Sequence, residues 1–296
     1  MKKATMILNP VAGRKKESLV DRVITQLREN FSLTIVKTTM KTSGTALAEA
    51  ALAEQTDLVI AAGGDGTIAE VINGLATSDT PLAIIPLGTA NVLALELGIA
   101  TDPLQAAADL REAQPRTIAL GNINGHYFSL MAGVGLDARA VQYIEENLAL
   151  KRSWGRLGYL WMAFKSLSSY EYPLINLEIN GIEQLARSVI ISNSHYYGGK
   201  INLFPQTSVR QSGLVVLLQR KKQSTFQLLK ALLKILGKRP LDTSTGFEYC
   251  PGTEISLDAA IPVPIQVDGD FWGYTPARIT SVPNALTVYY KPTRSG

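Results

Sequence analysis

Three short stretches of the sequence place glycine beside small polar or charged side chains in a way that suits phosphate chemistry. They are "ILNPVAGRK", with Asn9, Gly13, Arg14 and Lys15; "AAGGDGTIAE", with Gly63, Gly64, Asp65, Gly66, Thr67, Ile68, Ala69 and Glu70; and "IIPLGTANV", with Pro86, Gly88, Thr89 and Asn91. Each follows an apolar, strand-like run and precedes a helix-like one. Glycine allows positive φ and lets a ligand approach the backbone closely. A helix N-terminus points unpaired N–H groups at an anion. One such turn arises easily by chance; three, each at a strand end, point to one shared polyphosphate site. Asp65 stands inside the second turn. An acid beside phosphate-binding N–H groups makes sense if it faces a metal ion or a ribose hydroxyl, and the competing reading is an Asp that caps its own backbone. Thr67 and Glu70 have the spacing of a capping box, which would start the helix at Thr67. The turn lacks the Gly-Lys-Ser/Thr of a Walker A loop and the glycine spacing of a dinucleotide fingerprint.

These turns need a scaffold, and the first ~120 residues supply one by alternating two periods. "ATMIL", "LTIV", "LVIAA" and "PLAIIP" are strand-like. Between them, Lys15 to Glu29, "TALAEAALAE" and "TIAEVINGLA" are helix-like, and "ANVLALELG" and "DPLQAAADLREA" follow. Ile68, Val71, Ile72 and Leu75 fall at i, i+3, i+4 and i+7 on one helical face. The order predicts an α/β fold with a parallel sheet wrapped by helices. Beyond about residue 117 the pattern changes. Asn124-Gly125 and Asn180-Gly181 are hairpin signals, and helical stretches fall near 137–149 and 154–169. Short β-rich runs after 180 predict a second domain built on an antiparallel sheet or sandwich. The expected division is 1–118 and 119–286.

The remaining sequence narrows the classes. A chain of 296 residues fits one large or two ordinary domains. No window of ~18 apolar residues spans a membrane, and the short run after "MKK" reads as a first strand rather than a signal peptide. One cysteine, Cys250, precludes an intrachain disulfide and fits a reducing cytosol. A net charge of +4 is explained by a solvated basic surface as well as by anionic headgroups or nucleotide phosphates. No basic stripe interleaved with aromatics is present, so nucleic acid is not the expected partner. With two histidines and one cysteine, zinc and thiol chemistry are short of ligands.

"NPVAG", "GGDGTIAEVINGL" and "PLGTAN", in this order and spacing, resemble the diacylglycerol kinase catalytic-domain family, which includes sphingosine and ceramide kinases. "FSLMAGVGLDARAV", "KRSWGRLGYL", "ISNSHYYGGKINLFPQTS" and "IQVDGD" are similar to its later blocks, so the resemblance covers nearly the whole chain. It implies a nucleotide domain, a β-rich lipid domain, ATP with Mg2+ in the cleft between them, and a return of the final residues, 287–296, to the first domain. Asn9, Thr39 (with Thr38 as the alternative), Gly64 to Glu70 and Thr89 would contact ATP, and Asp65 would face the nucleotide and its magnesium. "VDGD" is similar to the family's Asp-Gly-Glu block, whose second acid activates the lipid hydroxyl. That acid is Asp270 here, with Asp268 before it; the competing reading of Asp268-Gly269-Asp270 is a plain hairpin turn. A general base of this kind suits phosphoryl transfer.

The chain departs from the family at three positions. Ala119 stands where an Asp often precedes Leu-Gly, and Val92 where many members have Asp after "GTAN". The block around a structural magnesium reads "PQTSVRQSG", with Ser212 in place of an acid. Carbonyls of Val209 and Leu214 could still bind an ion, but neutral Ser212 is a poor ligand for a hard cation. His195, in "SNSHYYGG", either lines the lipid cleft or is a satisfied loop residue. Residues 221–239 are amphipathic, and read either as a helix packed on the second domain or as a surface that docks on anionic bilayers. The expected activity is phosphorylation of a lipid hydroxyl, chiefly that of diacylglycerol, by a cytoplasmic enzyme that can reach the inner membrane surface. The alternatives are a homologue that has lost catalysis, or a kinase of another lipid or a soluble substrate.

Overall fold

The computed structural model describes residues 1–13, 17–146, 171, 173–221 and 243–291, with isolated positions at 227, 230, 231, 234 and 241. Arg14, Lys15, the helical stretch expected at 154–169, the block "KRSWGRLGYL" and most of 221–239 lie outside the described residues.

The first part alternates strand and helix, as the two periods predict. The order is β1 (Lys2–Leu8), α1 (Pro10–Gly13), α2 (Glu17–Arg28), β2 (Phe31–Lys37), α3 (Gly44–Ala53), β3 (Leu58–Gly63), α4 (Asp65–Leu75), β4 (Leu82–Pro86), α5 (Val92–Leu97) and α6 (Pro103–Asp109). The four strands pair in parallel in the order β2-β1-β3-β4. β3 and β4 are buried along their whole length, which is why they read as unbroken apolar runs: helices cover both faces of such a sheet. Ile68, Val71, Ile72 and Leu75 of α4 are all buried, so the helical face read from their spacing is the one that packs.

The second part is antiparallel. It comprises β5 (Gln114–Ile123), β6 (His126–Phe128), β7 (Met131–Val134), α7 (Leu136–Glu146), β8 (Ile175–Ile179), β9 (Ile182–Ala186), β10 (Ser188–Ser192), β11 (Tyr196–Tyr197), β12 (Ile201–Asn202), β13 (Leu214–Gln219), β14 (Phe247–Gly252), β15 (Glu254–Ala259), β16 (Pro264–Val267), β17 (Asp270–Tyr274) and β18 (Ala277–Tyr290). A six-stranded sheet runs β14-β13-β10-β7-β16-β17. It faces β8, β15 and the start of β18 across a core that includes Val134, Val189, Val216, Ile255, Ile265 and Ile279. Asn124-Gly125, Asn180-Gly181 and Asp268-Gly269 turn the hairpins β5–β6, β8–β9 and β16–β17. All six residues have positive φ, the geometry that makes Asn-Gly and Asp-Gly good hairpin turns.

The two parts share backbone hydrogen bonds. β18 pairs with β15 at one end and runs parallel to β4 at Val288 and Leu82 at the other. β5, which contains residue 118, lies antiparallel along β18.

Candidate active site

The strand order places β2 and β3 on opposite sides of β1, so the sheet has a switch point between β1 and β3. In open α/β sheets, ligands bind outside the carboxyl ends of the strands at such a point. Asn9 follows β1 there, and Gly64 to Thr67 follow β3. The Asn9 N–H donates to the Ala62 carbonyl at 2.9 Å, which fixes the chain across the gap. Asn9 Nδ2 donates to Thr67 Oγ1 at 2.8 Å, while Oδ1 accepts from the Val11 and Ala12 N–H groups and starts α1. Thr39 is exposed at the same edge. Its hydroxyl accepts from the N–H groups of Lys41 and Thr42. The Thr38 N–H reaches back to the Leu8 carbonyl.

The second and third turns touch backbone to backbone. A Cβ on Gly88 would stand 2.7 Å from Gly64 Cα, and the Leu87 N–H donates to the Gly63 carbonyl at 2.8 Å. A Cβ on Gly63 would overlap Thr67 at 2.5 Å. The glycines therefore serve close packing. Gly63, Gly64 and Gly66 do not use the positive φ that glycine allows. The left-handed residue of this pair of turns is Asn91, at φ 49°. The capping-box reading of Thr67 and Glu70 is also corrected. α4 begins at Asp65 with Gly64 as its N-cap, and Glu70 Oε2 accepts from the Gly44 N–H at 2.6 Å to start α3 instead. Ile68 is buried in the core, and Ala69 is half-buried between it and Glu70. Thr89 is exposed on the third turn.

Asp65 joins the two turns. Its Oδ2 accepts from the Asn91 N–H at 2.9 Å and its Oδ1 from the Val92 N–H at 2.6 Å. It is a cap, as one reading held, but for the first residues of α5 rather than for its own turn. Each carboxylate oxygen keeps a second lone pair for a ligand. Asn91 is buried; its Nδ2 donates to the Gly88 carbonyl, and its Oδ1 is enclosed without a hydrogen-bond partner.

The acids of the β16–β17 hairpin have different surroundings. The carboxylate of Asp268 accepts four hydrogen bonds: from the Ser129 N–H at 2.9 Å, the Ser129 hydroxyl at 3.1 Å, and the Leu130 and Met131 N–H groups at 2.9 Å. Burial pushes its pKa up, and these four donors pull against it. These bonds tie the β16–β17 turn to the chain that leads into β7. Asp270 is exposed. Its Oδ2 lies 3.7 Å from the point a Cβ on Gly66 would occupy. The last acid of the sequence pattern thus faces the second glycine turn.

Several residues that tie these segments together carried no spacing signal. Glu96 of α5, Asp137, Gln266 and Ser129 make side-chain hydrogen bonds to segments distant in sequence. Ser129, Asp137 and Gln266 lie in the later blocks quoted above, and the clue to Glu96 was a lone acid in the otherwise apolar "VLALEL". His195 Nδ1 lies 2.7 Å from Glu96 Oε1, which fits the reading of a satisfied loop residue.

Among the described residues, no three His, Cys, Asp or Glu side chains are grouped to hold a metal by themselves. Magnesium does not require such a cage, because it is commonly held by one or two carboxylates together with substrate phosphates. The remaining lone pairs of Asp65 fit that role. At the Ser212 block, the Val209 carbonyl accepts from the Ala119 N–H at 2.7 Å and Ser212 is exposed, a weak donor set. A hollow of about 970 Å3 lies elsewhere, on the face of β8, β9 and β15, and shares no residue with the turns.

The fold is that of a two-domain lipid kinase, and comparison with known proteins agrees. Residues 3–123 match the diacylglycerol kinase catalytic domain, and residues 131–290 match the YegS C-terminal NAD kinase beta sandwich-like domain. The chain belongs to the diacylglycerol kinase catalytic-domain family and is a lipid kinase. It is 30% identical over 292 residues to a diacylglycerol kinase of Bacillus subtilis (strain 168), covering 95% of this chain and 94% of that one. It is also 30% identical over 261 residues to a diacylglycerol kinase of Mycobacterium tuberculosis (strain ATCC 25618 / H37Rv), covering 82% and 79%. The crystal structure of a diacylglycerol kinase from Bacillus anthracis str. Sterne shares the fold, with a TM-score of 0.78 at 24% identity over 98% of each chain.

Proposed function

We propose that the chain transfers the γ-phosphoryl group of ATP, with magnesium, to the free hydroxyl of diacylglycerol, giving phosphatidate. The observation that carries this reading is the approach of Asp270 to Gly66 across the cleft. In phosphoryl transfer the protein chiefly positions the groups and offsets charge. The backbone around Gly64, Gly66 and Gly88 cradles the phosphates of ATP, with Asn9, Thr39, Thr67 and Thr89 beside them. Asp65 holds these turns together and offers its outer lone pairs to the cation. Magnesium, when bound, neutralises the phosphate oxygens. Asp270 takes the proton of the lipid hydroxyl as that oxygen bonds to the γ-phosphorus. The bond from the γ-phosphorus to the bridging oxygen breaks, and ADP leaves. Ala119 and Ser212 do not remove any group from this sequence of events.

The test is a labelled-ATP assay against a panel of lipids in mixed micelles, with Asp270→Ala alongside. Transfer to diacylglycerol by the wild type, lost in the variant, is the expected result. Absence of transfer to any lipid while ATP still binds would refute the reading. Because the acceptor lies in a bilayer, we assign residues 221–239, with Lys221, Lys222, Lys230, Lys234 and Lys238, to contact with anionic lipid. Charge reversal of these lysines should reduce flotation with anionic liposomes, and unchanged flotation would reject that contact.

A further inference from the structure

α5 is gripped at both ends. Asp65 caps its start, and Arg210 Nη2 donates to its last carbonyl, that of Leu97, at 2.9 Å. Between these points the side chain of Glu96 is wholly buried. Its Oε2 accepts from the Ser194 hydroxyl at 2.8 Å and the His195 N–H at 3.0 Å, and its Oε1 meets His195 Nδ1 at 2.7 Å. A buried carboxylate is costly unless so paired, and charge-assisted bonds are among the stronger ones. Two residues on, the Tyr197 hydroxyl donates to Asp137 Oδ1. Gln266 Nε2 donates to Asp137 Oδ2 at 2.7 Å, and Gln266 Oε1 accepts from the Gly269 N–H at 2.8 Å. Gly269 precedes Asp270. A side chain at Gly133 would overlap the Asp137 carboxylate, so the space for this chain of contacts depends on glycine there. The segment 194–197 is therefore bonded in one direction to the helix behind the phosphate turns and in the other to the hairpin that carries Asp270.

We propose that Glu96 is a positioning residue for phosphoryl transfer. With Ser194, His195, Tyr197, Asp137 and Gln266 it forms a brace across the cleft that sets Asp270 against the glycine turns. This rests on the assignment of Asp270 as the base. Glu96→Gln keeps the shape but turns one oxygen into a donor facing donors. Tyr197→Phe removes one hydroxyl from the other arm and serves where Glu96→Gln folds poorly. Each variant should lower kcat about tenfold with the KM for ATP within about twofold, because small misplacements of a reacting group cost that much or more. The losses should not add in the double variant, since both cut the same brace. Hydrogen exchange of the Gly269 amide should rise in both single variants, although neither side chain touches it. Additive losses, a KM for ATP that rises in step with the fall in kcat, or exchange changes confined to 91–97 and 193–197 would each overturn the brace. If the wild type phosphorylates no lipid, the proposed function fails, and the exchange experiment still decides the brace.

Discussion

At the "GGDG" turn, the carboxylate of Asp65 takes the N–H groups of Asn91 and Val92. At the "VDGD" hairpin, the carboxylate of Asp268 takes four donors from Ser129 to Met131. Each acid fastens its own turn to a neighbouring segment. The difference lies in what comes next. Asp65 is followed by Gly66, which has no side chain, whereas two residues after Asp268 comes Asp270, whose carboxylate faces that same Gly66. One turn offers backbone and the other offers an acid, and the reactive space lies between them. An acid in a glycine turn is thus read better as a fastener than as a reagent until its partners are known.

Removing the more heavily bonded fastener should be the most damaging change. Asp268→Ala leaves three N–H groups and a hydroxyl without their acceptor, and we expect a loss of about 3 kcal/mol or more in chemical denaturation. A loss under about 1 kcal/mol would show that the hairpin is held by its strand pairing alone. Gly88→Ala comes next. Its methyl would push Gly64 away, at a cost of about 1–3 kcal/mol, and calorimetric titration should show weaker ATP binding. Gly66→Ala is the sharper probe. Its methyl meets Asp270 at an ordinary 3.7 Å, and alanine suits a helix better than glycine by about 1 kcal/mol. Stability should hold or rise while the rate of transfer falls. The smallest effect concerns pH. Burial raises the Asp137 pKa above the ordinary 3.8, outweighing its bonds from Tyr197 and Gln266. The folded state therefore holds that proton more tightly than the unfolded chain. The associated stability is full below the ordinary value and is lost as pH rises through the raised one. In Asp137→Asn the unfolding free energy should fall less steeply over that range; an unchanged slope would refute the assignment.

Much of the fold was legible because it depends on local rules. The 3.6-residue period found the buried face of α4, unbroken apolar runs found β3 and β4, and Asn-Gly pairs found two hairpins. The glycines were located correctly, but the positive φ that glycine allows is not used: Gly63 and Gly88 are small because Thr67 and Gly64 stand against them. Glu70 had the right spacing for a capping box, yet its carboxylate caps α3. Spacing reports which residues share a turn and not which distant N–H group a side chain will reach. The same limit hid Glu96, whose partners Ser194 and His195 lie in another part of the chain, and Ser129, which anchors Asp268. The facing of Asp270 and Gly66 is a product of the sheet order and of the β16–β17 hairpin, and no period encodes it.

The central claim is a division of labour between Asp65, which holds the phosphate turns, and Asp270, which takes the proton. Single-turnover transfer to diacylglycerol at saturating ATP and magnesium, compared for Asp65→Asn and Asp270→Asn, tests it most directly. The account predicts that Asp270→Asn loses about 10²–10⁴-fold in rate with ATP affinity kept. Asp65→Asn should instead weaken ATP binding and recover most of its rate once ATP saturates. The reverse pattern, with Asp270→Asn near wild type and Asp65→Asn inactive at saturation in a folded protein, would contradict it.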